Sequence, residues 1–167
     1  MDLLANGERR IRDRQFEDAI LRAYRILELV GQSSLFALGY DSGAIPPSDP
    51  TVMAFIEKQN KNGRHTPSEP KVEYQFPREM TAHFLKCLGS KDLGNRLLNF
   101  DKSHSDMNAK ARNYSILIHG FTAVARDEEA LRCLFDDLKK LVIDHGGDEA
   151  AANLDLARFA DFSAGAR

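Results

Sequence analysis

The sequence predicts an all-α protein, a bundle of about five to seven helices joined by irregular loops. Apolar residues recur at three- and four-residue steps along most of the chain, which is the spacing of one helix face. Most glycines and prolines fall between these stretches, where they end one helix or begin the next. The sequence shows no strand–helix alternation of the Rossmann-like kind.

The first two predicted helices occupy residues 2–14 and 16–38. The second shows the clearest periodicity, since its apolar residues repeat at helical spacing and mark one buried face. The residues expected on that face are Ala19, Ala23, Ile26, Leu27, Val30 and Ser34. Gly39 is expected to end this helix, and residues 40–50 to form a loop.

A short third helix is expected from Pro50 to about Asn60, with Asp49 as its N-cap. Residues 61–71 are polar and predict a surface loop. Residues 72–76 favour an extended conformation, but no pairing partner is obvious, so no sheet is predicted.

The later helices are predicted at residues 77–88, 91–99, 105–119, 126–145 and 148–162. Gly94 is expected to weaken the brief helix at 91–99. Gly89 and the pair Gly146-Gly147 mark expected helix ends, and Asp127 is an expected cap. Residues 1–162 are expected to form a single domain, followed by a frayed C-terminal tail at 163–167.

Composition and charge are those of an ordinary globular protein. The net charge is −2, from 23 basic and 25 acidic side chains, so any nucleic acid must bind at a local positive site. No apolar run is long enough to span a bilayer, and residues 1–14 lack the apolar stretch of a signal peptide. We therefore expect a cytoplasmic protein without membrane contact.

Neither a metal site nor a cofactor site is predicted. Cys87 and Cys133 match no metal-ligand spacing and are expected to be reduced, largely buried thiols. No carboxylate cluster suited to Mg²⁺ stands out.

The pattern that indicates chemistry is Arg112 and His119 on the helix predicted at 105–119. A step of seven residues turns a helix by about 700°, so the two side chains lie about 20° apart and about 10 Å along the axis. Asn108 and Ser115 fall near the same stripe and are candidate substrate-binding residues. The apolar residues lie on the opposite side, so this helix presents arginine and histidine together.

This pair matches the needs of internal RNA cleavage. Histidine can take or give a proton near neutral pH, and the arginine fork matches phosphate geometry. Together they could deprotonate the 2′-hydroxyl, stabilise the phosphorane and protonate the leaving 5′-oxygen without a metal. Two copies of the helix facing each other across a two-fold axis would supply two histidines, so a homodimer with an interfacial site is expected. Asn113, at the edge of the apolar side, is expected to orient these groups.

Spacing alone favours a solvated pair over a catalytic one, but the surrounding residues change that balance. The run RNYSILIHGF (112–121) resembles the catalytic motif of HEPN ribonucleases, in which Arg, a polar residue, four to six residues and His follow one another, most often with Asn after Arg. Residues 12–32 resemble the first long helix of the HEPN domain in type III CRISPR-associated CARF–HEPN ribonucleases. The resemblance brackets most of the chain.

The resemblance implies a helical fold with the motif helix at a homodimer interface. It further implies metal-independent cleavage of single-stranded RNA, with Arg112 and His119 as catalytic residues and Asn113 in support. In those ribonucleases a CARF domain that senses cyclic oligoadenylate precedes the HEPN domain. The present sequence begins almost at the HEPN-like part, so we expect either an excised domain or a stand-alone protein.

Two alternatives remain open. A toxin of a HEPN–nucleotidyltransferase pair typically has a tyrosine two residues after the motif histidine, whereas Gly120 and Phe121 follow here. A non-catalytic helical dimerisation module predicts that Arg112 and His119 are separated or engaged in unrelated contacts.

For the other charged residues, the sequence pattern favours structural roles over functional ones. The cluster of Arg9, Arg10, Arg12 and Arg14 is interleaved with acidic residues and predicts a solvated helix face more than an RNA-binding one. His104 stands just before the motif helix and could border the site, but placement in a loop without a role there is favoured. Asp136-Asp137 are expected on a solvated face.

Overall fold

The computed structural model describes residues 2–63, 73–104 and 127–159, with the backbone alone described for Asp101 and for 148–159. These ranges contain α1 (Asp2–Arg12), α2 (Phe16–Ala37), α3 (Pro50–Lys61), α4 (Arg78–Cys87), α5 (Lys91–Ser103) and α6 (Glu128–Phe159). Within the described ranges there are six helices and no strand, so the all-α prediction is confirmed.

Contacts between residues divide the chain into two units. Unit 1 combines Met1–Leu27 with Phe100–Arg167, and unit 2 is Glu28–Asn99. The single domain expected over residues 1–162 stays a prediction. The expected frayed tail at 163–167 lies outside the described residues.

In unit 1, α1 packs against α6 through a close approach at Gly7. A Cβ atom at this position would lie 2.1 Å from the ring of Phe135, so only glycine lets the two helices come this close. An ion pair between Glu8 and Lys139 joins the same two helices. Between Glu128 and Gly147 of α6, the buried residues repeat at helical spacing and form a core face: Leu131, Leu134, Phe135, Leu138 and Leu141.

Helix α1 ends two residues before the predicted boundary. Arg14 adopts a left-handed conformation (φ 58°), and the N–H of Gln15 donates to the carbonyl oxygen of Arg10. This C-terminal turn stops the helix without a glycine, which is why the sequence pattern did not reveal it.

Helix α2 confirms the predicted buried face. The six residues expected there are between 0% and 6% exposed. Gly39 follows in a left-handed conformation (φ 88°), in which a Cβ atom would be strained, so it ends the helix as predicted.

The core of unit 2 is a cluster of aromatic rings around Phe84, which is fully buried. Ring centroids of Tyr40, Phe55 and Phe76 lie 5.0, 4.9 and 5.4 Å from that of Phe84. Burial of aromatic rings with edge or tilted contacts is the largest apolar contribution that single side chains make to a small core.

The N-terminus of α3 has the predicted cap. The Asp49 carboxylate accepts hydrogen bonds from the N–H groups of Thr51 (2.8 Å) and Val52 (3.1 Å), and Pro50 is the first helical residue. The prediction for this helix is therefore confirmed, with Lys61 as its last residue rather than Asn60.

Part of the extended stretch predicted at 72–76 has a pairing partner that the sequence does not reveal. Tyr74 forms an isolated antiparallel bridge with Ile45, with N–H···O distances of 2.9 and 2.8 Å. The N–H of Phe76 also donates to the carbonyl oxygen of Ser42 (2.8 Å). This pairing joins residues about 30 positions apart, so no local pattern reveals it. It is a single bridge, and no sheet forms in the described residues.

Helix α5 continues to Ser103, beyond the predicted end at 99, and it lies very close to α4. A Cβ atom at Gly94 would be 2.6 Å from the carbonyl oxygen of Ala82 and 2.4 Å from the side chain of Lys86. The glycine that appeared to weaken this helix is thus required by helix packing.

We expect Gly94→Ala to destabilise the protein by about 1–3 kcal/mol, because overlap with backbone outweighs the gain of about 1 kcal/mol in helix propensity. The neighbouring residue Asn95 is exposed and provides the control, since Asn95→Ala also places an alanine in α5, but at a position open to solvent. Urea denaturation of both variants measures the difference. Equal or higher stability of Gly94→Ala would mean that α4 and α5 are further apart than described.

Helix α6 contains the predicted break. Gly147 has non-helical angles (φ 63°, ψ −154°), so the helix consists of two segments that meet where 126–145 and 148–162 were predicted to join. The Asp127 carboxylate accepts from the N–H of Glu129 (3.0 Å), which confirms the predicted cap.

The two cysteines are free, but their predicted burial is wrong, since both are exposed. Cys87 is the last residue of α4, and Cys133 lies off the core face of α6. Among the helices of the described ranges, none is long and apolar enough to cross a membrane.

Candidate active site

The predicted site residues lie outside the described residues. This applies to Arg112, Asn113 and His119, to the candidate substrate-binding residues Asn108 and Ser115, and to the predicted helix at 105–119. Their mutual placement stays a prediction. The structure does describe the residues on either side of the segment that contains them, which is 105–126 and is called the motif segment below.

The chain enters the motif segment at His104, whose side chain is only 12% exposed. Its backbone N–H donates to the carbonyl oxygen of Phe100 (3.1 Å), which extends the hydrogen bonding of α5 by one residue. Its ring packs on that of Phe100 at a centroid distance of 4.8 Å. Its Nε2 lies 3.2 Å from Oδ2 of Asp137 on α6. Three different contacts therefore hold this one residue.

The chain leaves the motif segment at Asp127. Besides its capping carboxylate, the carbonyl oxygen of Asp127 accepts from the N–H of Leu131 (3.1 Å), the first backbone bond of α6. Leu131 is fully buried in the core of unit 1. The two residues that flank the motif segment, His104 and Asp127, thus both belong to unit 1 and are held by contacts within it.

Asp137 binds two basic side chains. Its Oδ1 accepts from Nζ of Lys140 at 3.0 Å, and its Oδ2 faces His104. The hydrogen bond from Lys140 is the main cause that lowers the pKa of Asp137 below its usual value, and the charges of Lys140 and His104 act in the same direction against partial desolvation. Asp137 also raises the pKa of Lys140.

These contacts predict a pH-dependent contribution to stability. A carboxyl group whose pKa is lowered in the folded state stabilises it above the unfolded pKa, here 3.8, and loses that contribution as the pH falls through the folded value. Because the Asp137 side chain is 46% exposed, the contribution at pH 7 should be below about 1 kcal/mol.

We therefore expect Asp137→Asn to be less stable than wild type at pH 7, and the difference to shrink below pH 4. Urea denaturation between pH 3 and pH 7 measures it. Asp136→Asn is the matched control, since Asp136 is more exposed (64%) and lies next to Asp137. A stability difference between Asp137→Asn and wild type that grows on acidification would contradict the stabilising role of the Asp137 carboxylate.

The basic residues of α1 and α2 include an internal ion-pair network. Asp18 binds Nε of Arg10 at 3.1 Å and Nη1 of Arg22 at 2.7 Å. Arg10 also donates to the side chain of Gln15. These two guanidinium groups are thus engaged by protein groups, and Arg10 is the one of them that belongs to the arginine cluster noted in the sequence.

A groove of about 840 Å³ lies in unit 2. Apolar Leu29, Phe36 and Phe76 line it together with polar Gln32, Ser33 and Asp41. No lysine or arginine occurs among the described residues of its lining. The described residues also contain no group of three or more His, Cys, Asp or Glu side chains placed to hold a metal ion.

Sequence reasoning missed the contact between His104 and Asp137. It favoured a loop position without a role for the histidine and a solvated helix face for the aspartate. The two residues are 33 positions apart, and neither stands in a motif, so no local signal could have paired them.

The comparisons with known proteins point to one family. The family described as "Csm6 HEPN domain" matches residues 1–143, which include the motif segment with Arg112 and His119. No curated protein and no solved structure matches the chain significantly. The family match and the helical fold agree with the resemblance found in the sequence, and this chain belongs to the Csm6 HEPN domain family.

Proposed function

We propose that this chain is a metal-independent endoribonuclease that cleaves single-stranded RNA as a homodimer, in cytoplasmic CRISPR-linked antiviral defence. The observation that carries the proposal is the family match over residues 1–143, which contains an intact Arg112-Asn113 and His119 motif. At the level of class, the match supports a CRISPR-associated ribonuclease. The metal-free mechanism, the dimer and the residue roles are proposed from the motif's chemistry.

In the proposed reaction, the 2′-oxygen attacks the adjacent phosphorus while His119 of one protomer removes its proton. A new P–O2′ bond forms, the P–O5′ bond breaks, and the partner's histidine protonates the leaving oxygen. Arg112 stabilises the extra negative charge on the phosphorane with its planar fork. The products are a 2′,3′-cyclic phosphate and a 5′-hydroxyl end.

The remaining motif residues support this chemistry. Asn113 orients the catalytic groups through hydrogen bonds, and Asn108 and Ser115 contact the RNA backbone. Because the net charge is −2, RNA binding relies on this local site rather than on bulk attraction. Substitutions at the site should therefore weaken RNA binding more than substitutions elsewhere on the surface.

The proposal is tested by incubating labelled single-stranded RNA with the protein in excess EDTA. We expect cleavage that persists in chelator and yields cyclic phosphate ends. Loss of cleavage on chelation, restored by Mg²⁺ or Mn²⁺, would contradict the metal-free mechanism. Light scattering at micromolar protein concentration measures the molar mass and so tests the dimer. A molar mass of a single chain would contradict the homodimer.

A further inference from the structure

We propose that His104 and Asp137 form a positioning pair that fixes the start of the motif segment against α6 and thereby helps to place Arg112 and His119 for catalysis. The inference rests on the proposed function for its catalytic part. Neither residue belongs to the motif, and neither is assigned a role by the family match.

His104 contacts both helices that flank the motif segment. A histidine that merely follows a helix is ordinarily solvated, whereas this side chain is 12% exposed and contacts two helices. Its ring packs on Phe100 of α5, and its Nε2 meets Asp137 of α6 at 3.2 Å. It therefore joins the helix that ends before the motif segment to the helix that begins after it.

The Asp137 carboxylate is oriented by a second contact besides His104. Lys140 binds one carboxylate oxygen, Oδ1, from the next turn of α6, while the other oxygen, Oδ2, faces His104. A carboxylate held on one side by a lysine has fewer accessible rotamers, and a hydrogen bond to a charged group is stronger than a neutral one. The acceptor offered to His104 is thus preorganised.

His104 and Arg112 are close to each other along the chain. His104 is the last described residue before the motif segment, and Arg112 follows eight positions later. Misplacement of a catalytic group by about 1 Å can cost about 10²-fold in rate even when the change is remote from the chemistry. Removal of the pair should therefore lower kcat more than it raises KM.

The test uses His104→Ala, His104→Gln and Asp137→Ala in the full chain. We expect kcat for RNA cleavage to fall about 10-fold to 100-fold in the two alanine variants, with KM within about twofold. His104→Gln retains a donor for Oδ2 and should recover much of the loss. The double alanine variant should lose no more than the larger of the two single losses, because both substitutions break the same contact. Asp136→Ala is the control and should keep wild-type kcat.

Hydrogen exchange measured on the same proteins is independent of activity. We expect faster amide exchange in residues 105–111 of both alanine variants, relative to wild type and Asp136→Ala, with unchanged exchange in α1 and α3. Faster exchange in a protein that cleaves no RNA would refute the proposed function while supporting the anchoring role. Unchanged kcat and unchanged exchange in His104→Ala would overturn the positioning pair, and additive losses in the double variant would do the same.

Discussion

Replacing Arg112 or His119 with alanine should reduce the rate of RNA cleavage by about 10²–10⁴-fold, the range typical of a lost proton-transfer group or a lost donor to a developing oxyanion. His119→Ala removes the group that exchanges protons with the 2′- and 5′-oxygens. Arg112→Ala leaves the phosphorane charge without its planar donor. Arg112→Lys keeps the charge but not the fork, so it should recover only part of the activity. Single-turnover cleavage of labelled RNA measures all three rates.

Matched controls separate this chemistry from a general loss of charge. Arg126→Ala removes one arginine from the same segment, and His145→Ala removes a histidine from α6. Both should cleave RNA within a few-fold of wild type, since neither residue belongs to the motif. Wild-type cleavage by either motif variant, or an equal loss in the controls, would refute the assigned roles.

Phe84→Ala should destabilise the protein by about 3–5 kcal/mol, the usual cost of removing a fully buried aromatic ring. Phe84 has no exposed surface and contacts the rings of Tyr40, Phe55 and Phe76. The free energy of unfolding of most domains is only about 5–15 kcal/mol, so this one substitution should remove a large part of it.

Phe36 provides the control, because it is the same residue type on the same unit but is 73% exposed. Phe36→Ala should change the free energy of unfolding by less than about 0.5 kcal/mol. Urea denaturation followed by circular dichroism measures both variants. Similar losses for the two phenylalanines would contradict the described core of unit 2.

The features that the sequence predicts correctly are those encoded within a few residues. The buried face of α2 follows from the spacing of Ala19 to Ser34, and Asp49 with Pro50 marks the start of α3 through its own side chain and ring. Gly39 and Gly147 mark a helix end and a helix break because both adopt left-handed conformations that other residues avoid.

The features that sequence reasoning misses depend on residues far apart in the chain. Gly94 seemed to weaken α5, yet the nearby carbonyl of Ala82 on α4 requires a glycine there. The bridge from Ile45 to Tyr74 has the same long-range origin. Periodicity shows which residues turn inward but not which partner they meet.

The candidate site divides in the same way. The candidate catalytic residues Arg112, Asn113 and His119 are predicted from a local motif, and the family match covers the segment that contains it. The contact of His104 with Asp137 became visible only in the folded chain. How the motif side chains meet across two protomers stays a prediction, since these residues lie outside the described ranges.

The central claim is that two copies of the motif build one shared site. Wild-type protein is co-refolded with rising amounts of the double variant Arg112→Ala, His119→Ala, at constant total concentration, and RNA cleavage is measured. If both protomers must contribute, only wild-type dimers are active, and an equal mixture retains about a quarter of the full activity. Retention of about half, in proportion to the wild-type fraction, would show that each protomer acts alone and would contradict the shared site.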